Sequence, residues 1–146
     1  MFSIRVATLA DLPALRPRTL ALNAHEGITI APDVLEAALR TLLGDASLGA
    51  AWMIEEAGAV CGYALTTFCF DLEFGGREAW MTEIWIDEGA RGRGAGTATL
   101  ALLDDELRAR GVRALHLQVR RENPALRLYA RTGFEESPRV VMTRRL

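Results

Sequence analysis

The segment EIWIDEGARGRGAGTATLALLDDELRARG, Glu83 to Gly111, constrains this chain more than any other. It opens as an apolar, strand-like run. It then passes through Gly89, Gly92, Gly94 and Gly96, with Arg91 and Arg93 among them, and continues as a helical pattern with Leu100, Leu103 and Leu107 in register. The first amides of a helix have no partner inside it, and the aligned peptide dipoles put partial positive charge there. Glycines let backbone N–H groups approach an anion in conformations closed to other residues, and arginines add charge-assisted bonds. A strand, a glycine-rich turn and a helix opening at Thr97 therefore read as a phosphate or pyrophosphate site. The competing reading is an ordinary glycine-rich loop with solvated arginines.

The spacing sorts the phosphate ligands. A P-loop closes on Gly-Lys-Ser/Thr, whereas this run closes on Ala95-Gly96-Thr97 without a lysine. A dinucleotide fingerprint accepts Gly92 and Gly94 as its first two glycines but then needs a third where Thr97 stands. An NADP-binding fold, with Arg120 or Arg121 meeting a 2′-phosphate, is accordingly a distant reading.

The rest of the chain supplies the frame. It has 146 residues, half of them hydrophobic and 25% charged, which suits one domain spanning 1–146 with a substantial core. A net charge of −2 argues against a general nucleic-acid role. No apolar run reaches the ~18 residues of a membrane span, and the first residues lack the pattern of a secretory leader. Cys61 and Cys69 lack metal-site spacing and read as free thiols in a reducing cytosol. His25 and His116 are the only histidines and lie far apart in sequence, so no metal is expected and the protein is placed in the cytoplasm.

Phe2–Val6 reads as a strand, residues 9–24 as a helix starting at Asp11 and Pro13, and Pro32–Leu43 as a helix stopped by Gly44. Ala50–Glu55 and Val60–Phe70 read as a hairpin turning at Ala57-Gly58, and Glu78–Ile86 as a further strand. Thr97–Arg110 is a helix, Leu115–Val119 a half-buried strand, and Asn123–Thr132 a short helix capped by Asn123 and ended by Gly133. Two more short strands are expected within Phe134–Leu146. The order implies an α/β fold, with an antiparallel meander leading to a parallel strand pair near the middle of the sheet.

Two motifs narrow this further. Arg91-x-x-Gly94-x-Gly96 resembles the R/Q-x-x-G-x-G/A segment of the GCN5-related N-acetyltransferases, the GNAT superfamily, and the hairpin FDLEFGGREAWMTEIWI is similar to that of small bacterial members. NPALRLYARTGF resembles that superfamily's second signature: an asparagine, a tyrosine six residues later, then Gly-Phe. The order of elements agrees across nearly the whole chain. Glu88 and Gly89 depart from the pattern, standing where a proline-containing loop is common. The resemblance implies a GNAT-like fold: a mostly antiparallel central sheet with a splayed parallel strand pair and about four helices.

It also implies a chemistry. Acetyl-coenzyme A would lie in the gap between two parallel strands. Its pantetheine arm would bond the backbone of Ile84, Trp85 and Ile86. Its pyrophosphate would rest on Arg91, Gly92, Arg93, Gly94, Ala95, Gly96 and Thr97, with Asn123 reaching the pantetheine. Acetyl would pass directly to a primary amine of a small molecule (polyamine-like, aminoglycoside-like or amino-acid-like) or of a protein. Such an amine must be neutral to attack, so a base or a water relay must take its proton. Glu83 is the candidate base, its alternative being a plain charged strand residue. Strand alternation puts Glu83, Trp85 and Asp87 on one face and Ile84 and Ile86 on the other.

Tyr129 is the candidate acid for the departing thiolate, its alternative being a core tyrosine. Glu26, Asp71, Glu73 and Phe74 are candidates for holding a cationic acceptor, unless the carboxylates merely solubilise a hairpin. A non-catalytic acyl-CoA-binding or regulatory module on the same scaffold is the alternative function, and relatives suggest a homodimer.

Overall fold

The computed structural model describes residues 1–146. The order of elements is β1 (Phe2–Val6), a 3-10 turn (Leu9–Asp11), α1 (Leu12–Glu26), α2 (Pro32–Gly44), β2 (Gly49–Glu56), β3 (Ala59–Asp71), β4 (Gly76–Ile86), a 3-10 turn (Glu88–Ala90), α3 (Ala95–Ala109), β5 (Ala114–Leu117) and α4 (Leu126–Arg131). The five strands lie in the order β1-β2-β3-β4-β5. The first three pairings are antiparallel, and β4 pairs with β5 in parallel.

Local chemistry accounts for most boundaries. Ala57 (φ 51°) and Gly58 (φ 80°) form the two-residue turn that joins β2 to β3, matching the right-handed twist of the strands beside it. Pro32 opens α2, where its missing N–H would have no partner in any case. Side chains alternate across β2. Ala50 and Trp52 join a cluster under α3 with Ala64, Leu100 and Leu103, whereas Ala51 and Met53 join one under α1 and α2 with Leu15, Leu39 and Tyr63. The sheet is thus apolar on both faces, as a layer between helices must be.

Several expectations are corrected. The parallel pair sits at the edge of the sheet, not near its middle. Residues 134–146 form no strand, and β5 is shorter than Leu115–Val119 suggested. The RVVM stretch has strand-like composition, but Val140, Val141 and Met142 are 82%, 60% and 89% exposed, and no backbone–backbone hydrogen bond involves residues 135–146. Branched side chains favour a strand only where a neighbouring strand receives them. Helix starts differ as well: α3 opens at Ala95, two residues before the expected Thr97, and α4 at Leu126 rather than Asn123.

Leu103 is fully buried beneath α3 and holds that helix to the sheet. Leu103→Ala should lower unfolding stability by about 2–5 kcal/mol, read as a fall in the urea midpoint at unchanged slope.

Candidate active site

β4 contains a bulge. Leu65 pairs with Glu83 and Thr66 with Met81, leaving Thr82 without a partner on β3. The extra residue reverses the alternation. Ala79 and Met81 point into the α3 cluster, and past the bulge it is Ile84 that packs there. Glu83 and Trp85 are turned to the α1/α2 face, the shared face their spacing implied. Thr82 is exposed in the middle of the sheet, where α1 and α2 do not cover it.

The ladder with β5 stops at the same point. Its last pair is Met81 with Leu117, and β4 runs on to Ile86 without a partner on that side. The backbone groups there that point away from β3 are unpaired by any strand, except that the Ile86 carbonyl accepts from Arg91 Nε at 2.8 Å. The two strands therefore open into a wedge with its apex at Thr82.

The glycine-rich turn closes the far end of the wedge. No protein group accepts a hydrogen bond from the amides of Gly92 through Thr97, and no side chain caps α3. Gly92 (φ 70°) and Gly94 (φ 87°) adopt backbone angles that side chains disfavour, and they aim successive N–H groups into one concavity. A Cβ on Gly96 would stand 2.8 Å from Leu128 Cδ2, so the glycine lets α4 approach α3. The resulting depression, about 310 Å³, is lined by Ile86, Ala90, residues of the glycine-rich turn, Leu128 and Arg131.

The two arginines of the turn are partly committed elsewhere. Arg93 pairs with Glu56 at 2.6 Å. The Arg91 guanidinium lies 4.7 Å from the centre of the Trp85 ring. Arg131, which the sequence did not single out, enters from α4 with its guanidinium 3.5 Å from Thr97 Oγ1. Its convergence on the turn is tertiary, and nothing in the local sequence around it signals it.

Tyr129 sits beside the wedge. α4 ends in Gly133 (φ 99°), whose N–H bonds to the Ala130 carbonyl, while Phe134 N–H bonds to the Tyr129 carbonyl at 3.0 Å. This is a Schellman closure. It folds Phe134 back edge-on against the Tyr129 ring, 5.7 Å between centroids, so the Gly-Phe of the signature fixes the tyrosine. The residue is only 8% exposed. Its hydroxyl has no protein partner, yet it is not sealed from solvent. Burial, and then the Glu26 carboxylate, push its pKa up and keep it protonated. Asn123 directs its side-chain oxygen to the Ala125 amide at 2.9 Å, opening the α4 turn. Its NH₂ makes no bond within the protein and is free to donate to a ligand.

Glu83 accepts a 2.6 Å hydrogen bond from the Tyr63 hydroxyl. Desolvation raises its pKa, and the tyrosine partly offsets this. At the end of β4, Arg18 of α1 clasps Asp87, with Nη2 2.5 Å from Oδ2, and Trp85 Nε1 donates to Asp87 Oδ1 at 3.2 Å. The candidate acceptor residues do not form one anionic pocket. Glu26 pairs with Arg120 at 3.8 Å, Asp71 accepts the Glu73 amide within the hairpin turn, and Glu73 pairs with Arg139 at 2.6 Å. Phe74 packs edge-on against His116, 5.0 Å between centroids. Its neighbours there, Glu78 and Trp80, also escaped the sequence reading. The clue was a carboxylate within an otherwise apolar strand.

A family model described as Acetyltransferase (GNAT) family matches residues 21–134, and the chain belongs to that family. It is 39% identical over 71 residues to the uncharacterized N-acetyltransferase YycN of Bacillus subtilis (strain 168), covering 48% of this chain and 45% of that protein. It is 34% identical over 87 residues to [Ribosomal protein bS18]-alanine N-acetyltransferase of Escherichia coli (strain K12), covering 59% and 55%. These matches span about half the length of both relatives. An integron cassette protein from the mobile metagenome of Cole Harbour Salt Marsh has the same fold, with a TM-score of 0.86 at 31% identity, covering 98% of this chain and 90% of that one. No helix is long and apolar enough to cross a membrane.

The raised Glu83 pKa has a sign that can be checked. In the unfolded chain this group ionises near its ordinary value of 4.5, while burial resists ionisation in the folded state. Its contribution to stability is therefore fully present below about pH 4.5 and is lost as pH rises through the folded-state value. Glu83→Gln should unfold at higher urea than wild type at pH 7–8, with the gap closing by pH 4.

Proposed function

We propose that this protein transfers the acetyl group of acetyl-CoA directly to an amine. The observation that carries the reading is the run of unpartnered amides from Gly92 to Thr97 at the open end of a strand wedge beside Tyr129. The diphosphate of coenzyme A suits that concavity, since a helix N-terminus with free amides favours an anion of this kind. Arg91 and Arg131 lie close enough to add charge. The pantetheine arm runs back along Ile86, Trp85 and Ile84, taking the backbone positions that β5 leaves open, with the Asn123 amide as a further donor. This brings the thioester to the apex at Thr82.

The chain's own residues then serve the reaction. A backbone N–H past the bulge stabilises the carbonyl oxygen as it gains charge, an effect worth a few kcal/mol when well aimed. Glu83, its basicity raised by burial, takes a proton from the attacking nitrogen. Tyr129, kept neutral, donates a hydrogen bond to the sulfur as negative charge develops there. Its unengaged hydroxyl supports an enzyme over a purely acyl-CoA-binding module, which has no need of a donor beside the sulfur.

The acceptor approaches from the α1/α2 face, where Thr82 is exposed between Trp80 and Glu83. Primary amines of small molecules and protein amines, such as the alanine named for the Escherichia coli relative, both meet the chemistry. Two unpaired cysteines suit a reducing cytosol. The open outer edge of β5 offers a surface on which a homodimer can form.

Tyr129→Phe should lower kcat about 100-fold while calorimetry shows acetyl-CoA affinity within threefold of wild type. An unchanged kcat, or an equal fall in rate and affinity, contradicts the role assigned to the hydroxyl.

A further inference from the structure

An amine that reaches the wedge at neutral pH arrives as an ammonium. It must lose one proton before its nitrogen can attack and a second after the tetrahedral adduct has formed. Glu83 beside the apex accounts for one of the two. We infer that His116, held by Glu78, Trp80 and Phe74, takes the first proton from the incoming ammonium on the acceptor side of the sheet. The inference rests on the acetyl transfer proposed above and adds to it a second base.

The geometry is that of an oriented imidazole. His116 Nε2 lies 2.7 Å from Glu78 Oε2, and Glu78 is only 7% exposed. A carboxylate has no proton to donate, so Nε2 carries the hydrogen, and in the neutral imidazole Nδ1 is the nitrogen with the lone pair. No protein group bonds Nδ1. Trp80 lies over the imidazole with 4.8 Å between centroids and a 30° tilt, Phe74 meets it edge-on, and Trp80 Nε1 points at Glu78 Oε1 at 3.4 Å. Three side chains from β4 and the β3–β4 turn thus fix a ring that stays partly exposed, its side chain 25% accessible. A histidine placed only to fill space has no need of a buried carboxylate.

Its place on the sheet suits the task. Ala79 and Met81 point to the α3 side, as do Leu115 and Leu117. Glu78, Trp80 and His116 therefore stand on the opposite face, the one that presents Glu83 and the exposed Thr82. His116 is paired in register with Trp80, two residues and about 7 Å along the strand from Thr82. Further ionisable groups on this side are Glu83 with its Tyr63 partner, Asp87 with Arg18, and Cys69, which lies opposite Glu78 on β3. At the hairpin tip, Glu73 is neutralised by Arg139.

The protons balance. The ammonium gives its first proton to His116 Nδ1, and Glu78 offsets the charge of the imidazolium. The freed nitrogen forms the C–N bond, and its second proton passes to Glu83 as the C–S bond breaks. The sulfur takes a proton from the Tyr129 hydroxyl. Tyr129 is restored by the proton from Glu83 through solvent, and His116 releases its proton to water. One proton leaves per turnover.

A matched pair of acceptors tests this: alkylamines, which are ammonium ions at pH 7, and their aminooxy isosteres, which are neutral there. His116→Gln should lower kcat/KM about 100-fold more for the alkylamine than for the isostere. Glu78→Gln, which keeps an acceptor for Nε2 but removes the charge, should shift the same ratio about tenfold. Thermal melts and acetyl-CoA calorimetry confirm the fold and the cofactor site of each variant. A ratio within threefold of wild type in both variants, whether the rates fall together or not at all, overturns the inference and leaves acetyl transfer standing. A wild-type chain that takes up no acetyl-CoA and releases no coenzyme A refutes the proposed function, and the inference with it.

Discussion

The structure turns on one unpaired residue. Thr82 is the extra residue of a bulge in β4, and the parallel ladder to β5 ends at Met81, the residue before it. A bulge steepens the local twist and displaces the ladder's N–H and C=O groups by one position, so a straight partner strand cannot continue past it. The wedge, the free edge of β4 and the switch of Glu83 and Trp85 to the α1/α2 face all follow from that displacement. Were the bulge absent, Glu83 would share a face with Met81 and point into the apolar cluster beneath α3.

A wedge alone binds nothing, and the elements around it supply its selectivity. The glycine-rich turn gives a row of amides, and Arg131 and Arg91 lie beside it. Arg93 instead pairs with Glu56, so the positive charge in the sequence motif overstates what faces a ligand. The ties Arg18–Asp87 and Arg120–Glu26 run from α1 to the end of β4 and to the loop after β5. They hold the two sides of the wedge to one helix. The Arg120–Glu26 pair, its arginine side chain 66% exposed, contributes little to stability, so its effect is mainly geometric.

Much of this was legible in the sequence, and the parts that were not share a cause. Local patterns gave β1, the Ala57-Gly58 turn, the common face of Glu83 and Trp85, and the end of α4 at Gly133, because each rests on a few neighbouring residues. The bulge was invisible, since EAWMTEIWI reads as one uninterrupted strand until a partner fixes its register. Arg131 and the His116–Glu78 pair join residues 34 and 38 positions apart, beyond any local pattern. The partners of the candidate acceptor carboxylates were hidden for the same reason. Glu26, Asp71 and Glu73 look free in sequence, but each has a partner in the fold. The RVVM stretch has the composition of a strand and lacks the neighbour that would make it one.

In the proposed reaction, main-chain amides from Gly92 to Thr97 receive the diphosphate of coenzyme A. Amide chemical shifts followed during a titration with coenzyme A test it most directly. Saturable shifts are expected, largest at Gly92 through Thr97 and smaller along Ile84–Ile86. Saturable binding that leaves those amides unmoved, or no binding at millimolar ligand, would contradict it.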